Sequence, residues 1–328
     1  MLNYWKPEAY HGAGKTRDFF EGWYIKAVDR EEKNAYALIP GISLSADPAK
    51  SHAFIMLLDA RGHRMFYYRY PLAEFQAAED QFNLTIDRSH FSTSQVVLNL
   101  EDGQHTITGE LGFIDLHPWP VRRFSPGVMG WYAFIPYLEC YHGVLSFDHT
   151  ITGSLSIDGE IIDFSGGRGY MEKDWGSSMP SSWIWIQTNH FGETGVSLFG
   201  SIAKIPWLGN YFTGFIFGLY LHGHLYAFTT YGGAKITSLD VSGELISIRI
   251  ENRGYVLEVV AARSEGVDLP APVMGEMTAK VNESLRSNID VKLYKKMKGG
   301  TVLIFSGTGR NAGLEFVGNV GELLKGLR

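Results

Sequence analysis

The chain has 328 residues, of which 45% are hydrophobic and 20% are charged, and this composition excludes an intrinsically disordered protein. Its 29 Lys and Arg residues stand against 35 Asp and Glu residues, for a formal net charge of −6. A protein that binds nucleic acid through a basic surface is therefore excluded as well. The expected partner is a neutral or apolar small molecule.

The single cysteine and the first residues indicate the compartment. Cys140 has no second cysteine with which to form a disulfide, and the N-terminus lacks the basic start and the apolar stretch of a signal peptide. The most apolar segment, residues 212–230, is interrupted by glycines and histidines, so no transmembrane helix is expected. These features predict a cytoplasmic protein, and a peripheral contact with a membrane is compatible with them.

Turn residues separate short apolar runs along the whole chain, a pattern typical of antiparallel β structure. Residues 52–58 and 64–70 are predicted strands, joined by a turn that ends at Gly62. Asp158-Gly159 between two further runs predicts a type I′ hairpin. Later hairpins are predicted at three turns: Ser242-Gly243, Asn252-Arg253-Gly254 and a glycine-rich loop between residues 305 and 314.

Few helices are expected beside these strands. Met277, Val281 and Leu285 recur at i, i+4 spacing, which indicates a helix, and residues 320–327 are predicted to form a C-terminal turn or helix. So many strands exceed one eight-stranded barrel of the lipocalin kind. We therefore expect an all-β fold of two antiparallel β-barrel or sandwich domains, residues 1–176 and 177–328, with few short helices.

Common catalytic signatures are incomplete in this sequence. Residues 12–16 lack the first glycine of a P-loop, and residues 166–169 run into an apparent strand instead of the helix of a dinucleotide-binding motif. Ser197 lacks the spacing of a nucleophile elbow, and His222 and His224 have no evident third metal ligand. No cofactor and no metal are expected.

Polar groups and aromatic residues are combined more densely than folding requires in three segments: residues 19–26, 136–143 and 166–190. In an extended strand, Tyr170, Glu172 and Asp174 share one face, and Lys173 and Trp175 share the other. Two carboxylates on one face disfavour double ionisation, so one of them can hold a proton near neutrality. A solvated strand edge is the structural alternative.

The next predicted strand has the same alternation. Trp183, Trp185, Gln187 and Asn189 share a face that presents two indoles and two amides, although alternating tryptophans also mark a protein core. Because these groups cluster at the predicted domain boundary, where ligand sites are common, we expect a lined pocket near the interface of the two domains. Three isolated acids or bases lie among aromatic residues: Glu21, Glu139 and His142. Each of them either makes a structural hydrogen bond or belongs to the site, and both alternatives stay open.

The sequence resembles the tocopherol cyclase family in segments spread over nearly the whole chain: residues 20–24, 138–144, 166–170, 172–176, 183–190, 218–221 and 307–315. The resemblance implies a cofactor-free isomerising cyclase, as in vitamin E biosynthesis, that closes a chromanol ring from a prenylated quinol. It also implies two lipocalin-like domains with the site between them, and a more distant kinship with carotenoid hydratases and some natural-product cyclases.

The resemblance further implies roles for individual residues. In the hydratase-like relatives an acidic residue in the segment matching residues 172–175 donates the proton, and Glu172 aligns with it. Asp174 is the second candidate. Plant cyclases tend to carry Asn at this position, so the second carboxylate alters which residue is expected to be protonated. The expected substrate-binding residues are the other polar and aromatic residues of the matching segments: Glu21, Trp23, Tyr24, Glu139, His142, Tyr170, Trp175, Trp183, Trp185, Gln187 and Asn189. The short sequence before the first motif suggests a bacterial-type relative.

The chemistry of such a cyclase agrees with the composition. Protonation of a prenyl alkene creates a tertiary cation that the quinol oxygen captures, so no electrons move and no redox cofactor is needed. The reaction requires an acid, a dry pocket and aromatic faces that stabilise a cation. Two alternatives stay open: a non-catalytic lipocalin-like carrier of a prenyl lipid, and a hydratase or another cyclase that acts on an isoprenoid.

Overall fold

The computed structural model describes residues 3–207 and 209–327. The chain divides into two compact units, Met1–Met179 with Asp268–Lys280 and Pro180–Val267 with Val281–Arg328. Two large antiparallel sheets make up most of the structure, so the predicted all-β fold class is confirmed.

The first unit contains a twelve-stranded antiparallel sheet. The strands of this part of the chain are β1 (Phe19–Val28), β2 (Ala35–Leu44), β3 (His52–Asp59), β4 (Arg64–Tyr70), β5 (Phe75–Ala77), β6 (Asn83–Ile86), β7 (Ser89–Ser92), β8 (Gln95–Glu101), β9 (Thr106–Ile114), β10 (Val121–Arg122), β11 (Ser125–Pro126), β12 (Cys140–Ile157), β13 (Glu160–Asp163) and β14 (Arg168–Gly176). The order in the sheet is β4-β3-β2-β1-β14-β12-β9-β8-β7-β6-β5, with β13 beside β12, and β10 and β11 form a separate hairpin.

The remaining strands form a ten-stranded antiparallel sheet. They are β15 (Trp183–Thr188), β16 (Val196–Trp207), β17 (Asn210–Leu221), β18 (His224–Thr229), β19 (Lys235–Ser242), β20 (Leu245–Glu251), β21 (Tyr255–Ala262), β22 (Val267–Val273), β23 (Glu276–Met297) and β24 (Gly300–Val317). The order is β18-β17-β16-β15-β24-β23-β21-β20-β19, with β22 beside β23. Residues Asp268–Lys280, which hold most of β22 and the start of β23, belong to the first unit.

The helices in the described part of the chain are few and short. The helix α1 (Val320–Lys325) lies in the predicted C-terminal segment, and single 3₁₀ turns occupy Pro48–Lys50, Leu72–Glu74, Gly130–Phe134 and Thr230–Gly232. Within the described ranges, no helix has the length and apolar character that crossing a bilayer requires.

The turns follow the predicted turn chemistry in the first unit. Asp158 and Gly159 both have positive φ angles, 53° and 86°, as a type I′ hairpin requires. The turn between β3 and β4 also lies where it is predicted, and Asp59 caps it because its carboxylate accepts hydrogen bonds from the main-chain N–H groups of Arg61 and Gly62.

Two predictions of local structure are wrong. Met277, Val281 and Leu285 lie in strand β23, because an i, i+4 spacing is also a multiple of two and therefore fits strand alternation equally well. The predicted glycine-rich loop is the middle of the continuous strand β24. There the missing side chains make room for neighbouring residues, since a Cβ atom at Gly309 would lie 2.3 Å from Thr188 Cγ2.

Each unit has its own hydrophobic core, and strand alternation determines which side chains enter it. Trp23, Ile25 and Met171 enter the core of the first unit. Ile184 and Ile186 of β15 enter the core of the second unit. The residues between them in sequence therefore lie on the opposite, outer face of each sheet.

Candidate functional site

Strand β14 is central to the candidate site because it pairs with β1 on one side and β12 on the other. Glu172 lies opposite Tyr24 of β1, and Asp174 lies opposite His142 of β12. Tyr170, Glu172 and Asp174 share the outer face, as the alternation predicts. Glu172 is nevertheless only 4% exposed, so this face of the sheet is buried at the carboxylate.

Four side chains form a hydrogen-bonded group on this face, which we call the Glu172 cluster: His142, Tyr170, Glu172 and Asp174. The Tyr170 hydroxyl donates a hydrogen bond of 2.5 Å to Glu172 Oε2. His142 lies between the two acids, with Nδ1 2.8 Å from Asp174 Oδ1 and Nε2 3.4 Å from Glu172 Oε2. The structure thus brings the two predicted catalytic acids to one imidazole.

The electrostatics of the Glu172 cluster keep a proton on His142. Burial alone would lower the pKa of His142, but the charges of Asp174 and Glu172 outweigh it and raise the pKa to about 10. His142 is therefore an imidazolium at neutral pH. Burial and the nearby Glu172 carboxylate raise the pKa of Tyr170 well above its usual value, so the phenol stays a hydrogen-bond donor. Burial and then Asp174 likewise raise the pKa of the Cys140 thiol, whose Sγ lies 3.7 Å from Asp174 Oδ1.

The same residues are the candidate ligands for a metal ion. Ligand atoms of His142, Glu172 and Asp174 lie within 4.8 Å of one another. A metal requires a neutral imidazole, however, and the raised pKa of His142 means that an ion would have to displace a proton. The two imidazole nitrogens also point at different carboxylates, so the group suits a proton better than a metal ion.

The outer face beside Asp174 lacks a side chain on β1. Gly22 lies opposite Asp174, and a Cβ atom at Gly22 would make only ordinary contacts, the nearest of them 3.6 Å from Ile39 Cγ2. Beyond it, the Phe54 ring covers Gly41 of β2, where a Cβ atom would lie 2.5 Å from Phe54 Cζ. The face next to the acid thus has an aromatic ring nearby and carries no side chain at Gly22.

A second charged group occupies the opposite, core-facing side of β14. Lys173 is fully buried and its ammonium contacts the Glu21 carboxylate and the Ala9 carbonyl oxygen. His11 completes the group, because its main-chain N–H donates 2.9 Å hydrogen bonds to both Glu21 oxygens and its Nδ1 lies 2.9 Å from Lys173 Nζ. Burial lowers the pKa of Lys173 against the opposing effect of Glu21.

Aromatic rings enclose this buried ion pair. Lys173 Nζ lies 4.6 Å from the ring centroid of Trp23 and 4.8 Å from that of Trp175. Trp175 in turn stacks on His11 at 4.2 Å. The structure therefore places Glu21, Trp23 and Trp175 on the other side of β14 from Glu172. Sequence reasoning missed Lys173 and His11, although the alternation places Lys173 beside Trp175 on the face opposite the acids.

Glu139 contributes its main chain to the first unit. Its carbonyl oxygen accepts hydrogen bonds from the N–H groups of Ser177 and Ser178, at 2.9 and 3.2 Å. A Cβ atom at Gly176 would lie 2.2 Å from that same oxygen, so glycine is required where β14 ends. This contact fixes the end of β14 next to the start of β12.

The predicted site residues of β15 belong to the second unit. Trp183 and Trp185 lie on the outer face of β15, and Trp183 Nε1 donates a 2.6 Å hydrogen bond to Glu315 Oε2. The Trp185 ring lies over Gly313, where a Cβ atom would approach it to 2.5 Å. Gln187 and Asn189 are fully buried. Their grouping with Glu172 in one site stays a prediction.

Comparison with known proteins relates the chain to one family. The family model described as tocopherol cyclase-like matches residues 115–319, which is more than half of the chain. A chloroplastic tocopherol cyclase of Zea mays is 27% identical over 206 residues, which cover 60% of this chain and 43% of the maize protein. The matched segment thus spans less than half the length of that relative.

A solved structure is similar in fold. The crystal structure of CghA with Sch210972 has a TM-score of 0.56 and 10% sequence identity, and the match covers 92% of this chain and 89% of CghA. This likeness supports the lipocalin-like, all-β fold class that the sequence predicts. The matched family model leads to one assignment: the chain belongs to the tocopherol cyclase-like family.

Proposed function

We propose that this protein is an intramolecular cyclase that protonates the alkene of a prenylated quinol and closes a chromanol ring. The observation that carries the proposal is the position of the protonated His142 between Glu172 and Asp174 on a buried face. Membership of the tocopherol cyclase-like family supports an enzyme of this kind.

The reaction balances without a second substrate. A proton adds to the less substituted carbon of the prenyl alkene and leaves a tertiary carbocation. The quinol oxygen then forms the C–O bond to that carbon and releases its own proton to a carboxylate. The product is an isomer of the substrate, and the enzyme returns to its starting protonation state.

The Glu172 cluster can supply and recover this proton. Asp174 accepts the hydrogen bond from His142 Nδ1–H, which orients Nε2–H toward Glu172. When substrate excludes water, the proton passes from Nε2 to Glu172, and Glu172 donates it to the alkene. Asp174 stabilises the imidazolium that forms again when the quinol proton returns.

Aromatic residues beside the acid suit the cationic intermediate. Tyr24 lies directly opposite Glu172 in the neighbouring strand, and Tyr170 lies two residues before it on the same face. A desolvated aromatic face stabilises a nearby cation by about 0.5–2 kcal/mol. Gly22, which lies opposite Asp174 in β1, places no side chain beside that acid.

The proposal is tested by incubating the purified protein with a prenylated methylhydroquinone under reducing conditions in D₂O. A cyclase yields an isomer of the substrate in which one deuterium, bound to the former alkene carbon, replaces one hydrogen. Liquid chromatography and mass spectrometry detect this product. A product that has gained one water molecule would assign a hydratase instead. Recovery of unchanged, protein-bound substrate would assign a carrier and overturn the proposal.

A further inference from the structure

The segment between β9 and β12 has an unusual composition for this acidic protein. Residues 117–138 contain no Asp or Glu, two arginines and six aromatic residues. The whole chain, by contrast, has a net charge of −6. This segment directly precedes β12 in the chain. The Tyr141 hydroxyl near the start of β12 donates a 2.7 Å hydrogen bond back to the Ile135 carbonyl oxygen of the segment.

A short hairpin in this segment exposes an aromatic ring between charges. Strands β10 and β11 pair Arg122 with Ser125, so Arg123 and Phe124 occupy the turn. Phe124 is 75% exposed, and the Arg123 guanidinium lies 5.3 Å from its ring centroid. Neither Arg122 nor Arg123 forms an ion pair with any of the residues that the structure describes.

Further aromatic side chains of the same segment are exposed. Trp131 in the 3₁₀ turn is 50% exposed, and Tyr137 is 98% exposed with a φ angle of 62°, a conformation that bulky residues rarely adopt. Trp5 joins them, since its Nε1–H donates a 3.1 Å hydrogen bond to the Arg123 carbonyl oxygen. We call these residues the aromatic patch: Trp5, Arg122, Arg123, Phe124, Trp131 and Tyr137.

We propose that the aromatic patch docks the protein on the surface of an anionic phospholipid bilayer. Trp, Tyr and Phe side chains are favoured at the boundary between headgroups and acyl chains, and arginines attract anionic headgroups. An acidic protein is repelled by such a surface except where its local charge is positive, so the two arginines select this face for docking.

A second copy of the chain fits the patch less well. A two-fold dimer through this face would bring the arginines of both copies together without an acidic partner in residues 117–138. A bilayer supplies the opposite charge and an apolar layer at the same time. Docking goes beyond the proposed cyclisation, and it is measurable without any substrate.

The test is flotation of the full-length protein with vesicles of phosphatidylcholine alone and with vesicles that also contain phosphatidylglycerol. We expect stronger binding to the anionic vesicles, and weaker binding as salt is added. Arg122→Gln with Arg123→Gln is expected to reduce the partition coefficient about thirtyfold. Phe124→Ser with Trp131→Ser and Tyr137→Ser is expected to abolish flotation.

Two matched controls identify the surface. Ile161→Ser removes a side chain that is 74% exposed in the same unit, and it should leave flotation unchanged. In the second unit, Val302, Leu303 and Ile304 form another exposed apolar run, and their joint replacement by Ser should also leave flotation unchanged. Circular dichroism and thermal melting verify that every variant is folded.

Three outcomes would overturn the docking proposal. They are equal binding of the wild type to both kinds of vesicle or to none, flotation that survives the triple patch variant, and flotation that is lost in the Val302–Leu303–Ile304 variant instead. A patch variant that converts a dimer to a monomer without vesicle binding would assign the face to self-association. Cyclisation of detergent-dispersed substrate is measured separately, so its absence would leave the docking result intact.

Discussion

Glu172 and Lys173 are neighbours in sequence, but their charged groups lie on opposite faces of β14. The Glu172 carboxylate contacts His142 and Tyr170 on the outer face, whereas the Lys173 ammonium contacts Glu21 on the core side. The lysine therefore does not neutralise the acid beside it. His142 is the cation that does so, and its Nε2 lies 3.4 Å from Glu172 Oε2.

Replacement of Glu172 should have the largest effect on catalysis. Glu172→Gln keeps the size of the side chain and removes the transferable proton, so kcat for cyclisation is expected to fall about 10²- to 10⁴-fold with little change in substrate affinity. Asp174→Asn should have a smaller effect, because the amide oxygen still accepts from His142 Nδ1–H.

Asp29→Asn is the matched control for these acids. Asp29 is also 4% exposed, and it accepts hydrogen bonds from main-chain N–H groups of a turn in the same unit. Turnover per folded molecule should not change in this variant. If Asp174→Asn proves more harmful than Glu172→Gln, Asp174 is the donor, and if both variants keep full activity, acid catalysis by this cluster is wrong.

The protonated His142 should make stability depend on pH. A folded-state pKa of about 10, against 6.5 for an ordinary histidine, stabilises the fold fully below pH 6.5. This contribution is lost progressively as the pH rises from 6.5 to about 10. The Tm difference between the wild type and His142→Gln should therefore shrink over that range in differential scanning calorimetry.

His149→Gln provides the comparison for this measurement. Burial, and then the nearby His117, lower the pKa of His149 to about 3, so this buried histidine is neutral throughout the tested range. Its variant should show a constant Tm difference from the wild type. A constant difference for His142→Gln as well would show that the imidazole is not held as a cation.

Loss of Lys173 should destabilise the first unit. Lys173→Met leaves the Glu21 carboxylate buried without its ammonium partner, which is expected to cost about 3–5 kcal/mol in urea unfolding. The double variant Glu21→Gln with Lys173→Met removes both charges and should recover a large part of this loss. Equal stability of the single and double variants would contradict the assignment of a buried ion pair.

Trp185 should affect ligand handling more than folding. Trp185 is only 5% exposed, but it lies on the outer face of β15 and outside the hydrophobic core of the second unit. Trp185→Ala is therefore expected to weaken product formation more than it lowers Tm. Trp23→Ala is the comparison, because Trp23 belongs to the hydrophobic core and stacks on Phe82 at 5.3 Å, and its loss should lower stability by about 3–5 kcal/mol. A large loss of Tm with unchanged activity per folded Trp185→Ala molecule would assign Trp185 to structure.

Local sequence patterns predicted several of the strands and the shared face of Tyr170, Glu172 and Asp174, because period-two alternation depends only on neighbouring residues. The contacts of Lys173 could not be predicted in this way. Its partners Glu21 and His11 precede it by about 150 residues, and the pairing of β1 with β14 is needed to bring them together. Strand pairing between distant segments is set by tertiary structure.

The position of His142 was hidden for a related reason. Register shifts interrupt the pairing of β12 with β14 after Val144 and again after Ser146. Alternation along β12 therefore does not predict which residue of β14 lies opposite each residue of β12. Only the register at Asp174 shows that the imidazole reaches both acids. A histidine among aromatic residues correctly indicated a polar group, but its hydrogen-bond partners can be identified only from the strand pairing in the sheet.

The order of strands also constrains synthesis of the chain. In the first sheet β1 pairs with β14, and in the second sheet β15 pairs with β24. In each sheet, the first strand can therefore pair with this neighbour only after the last strand has been synthesised. While the ribosome makes the intervening residues, one edge of β1 stays without its partner. Such non-local pairing slows folding and exposes a strand edge to other chains. The Glu172 cluster therefore assembles only after nearly all of the first sheet has left the ribosome.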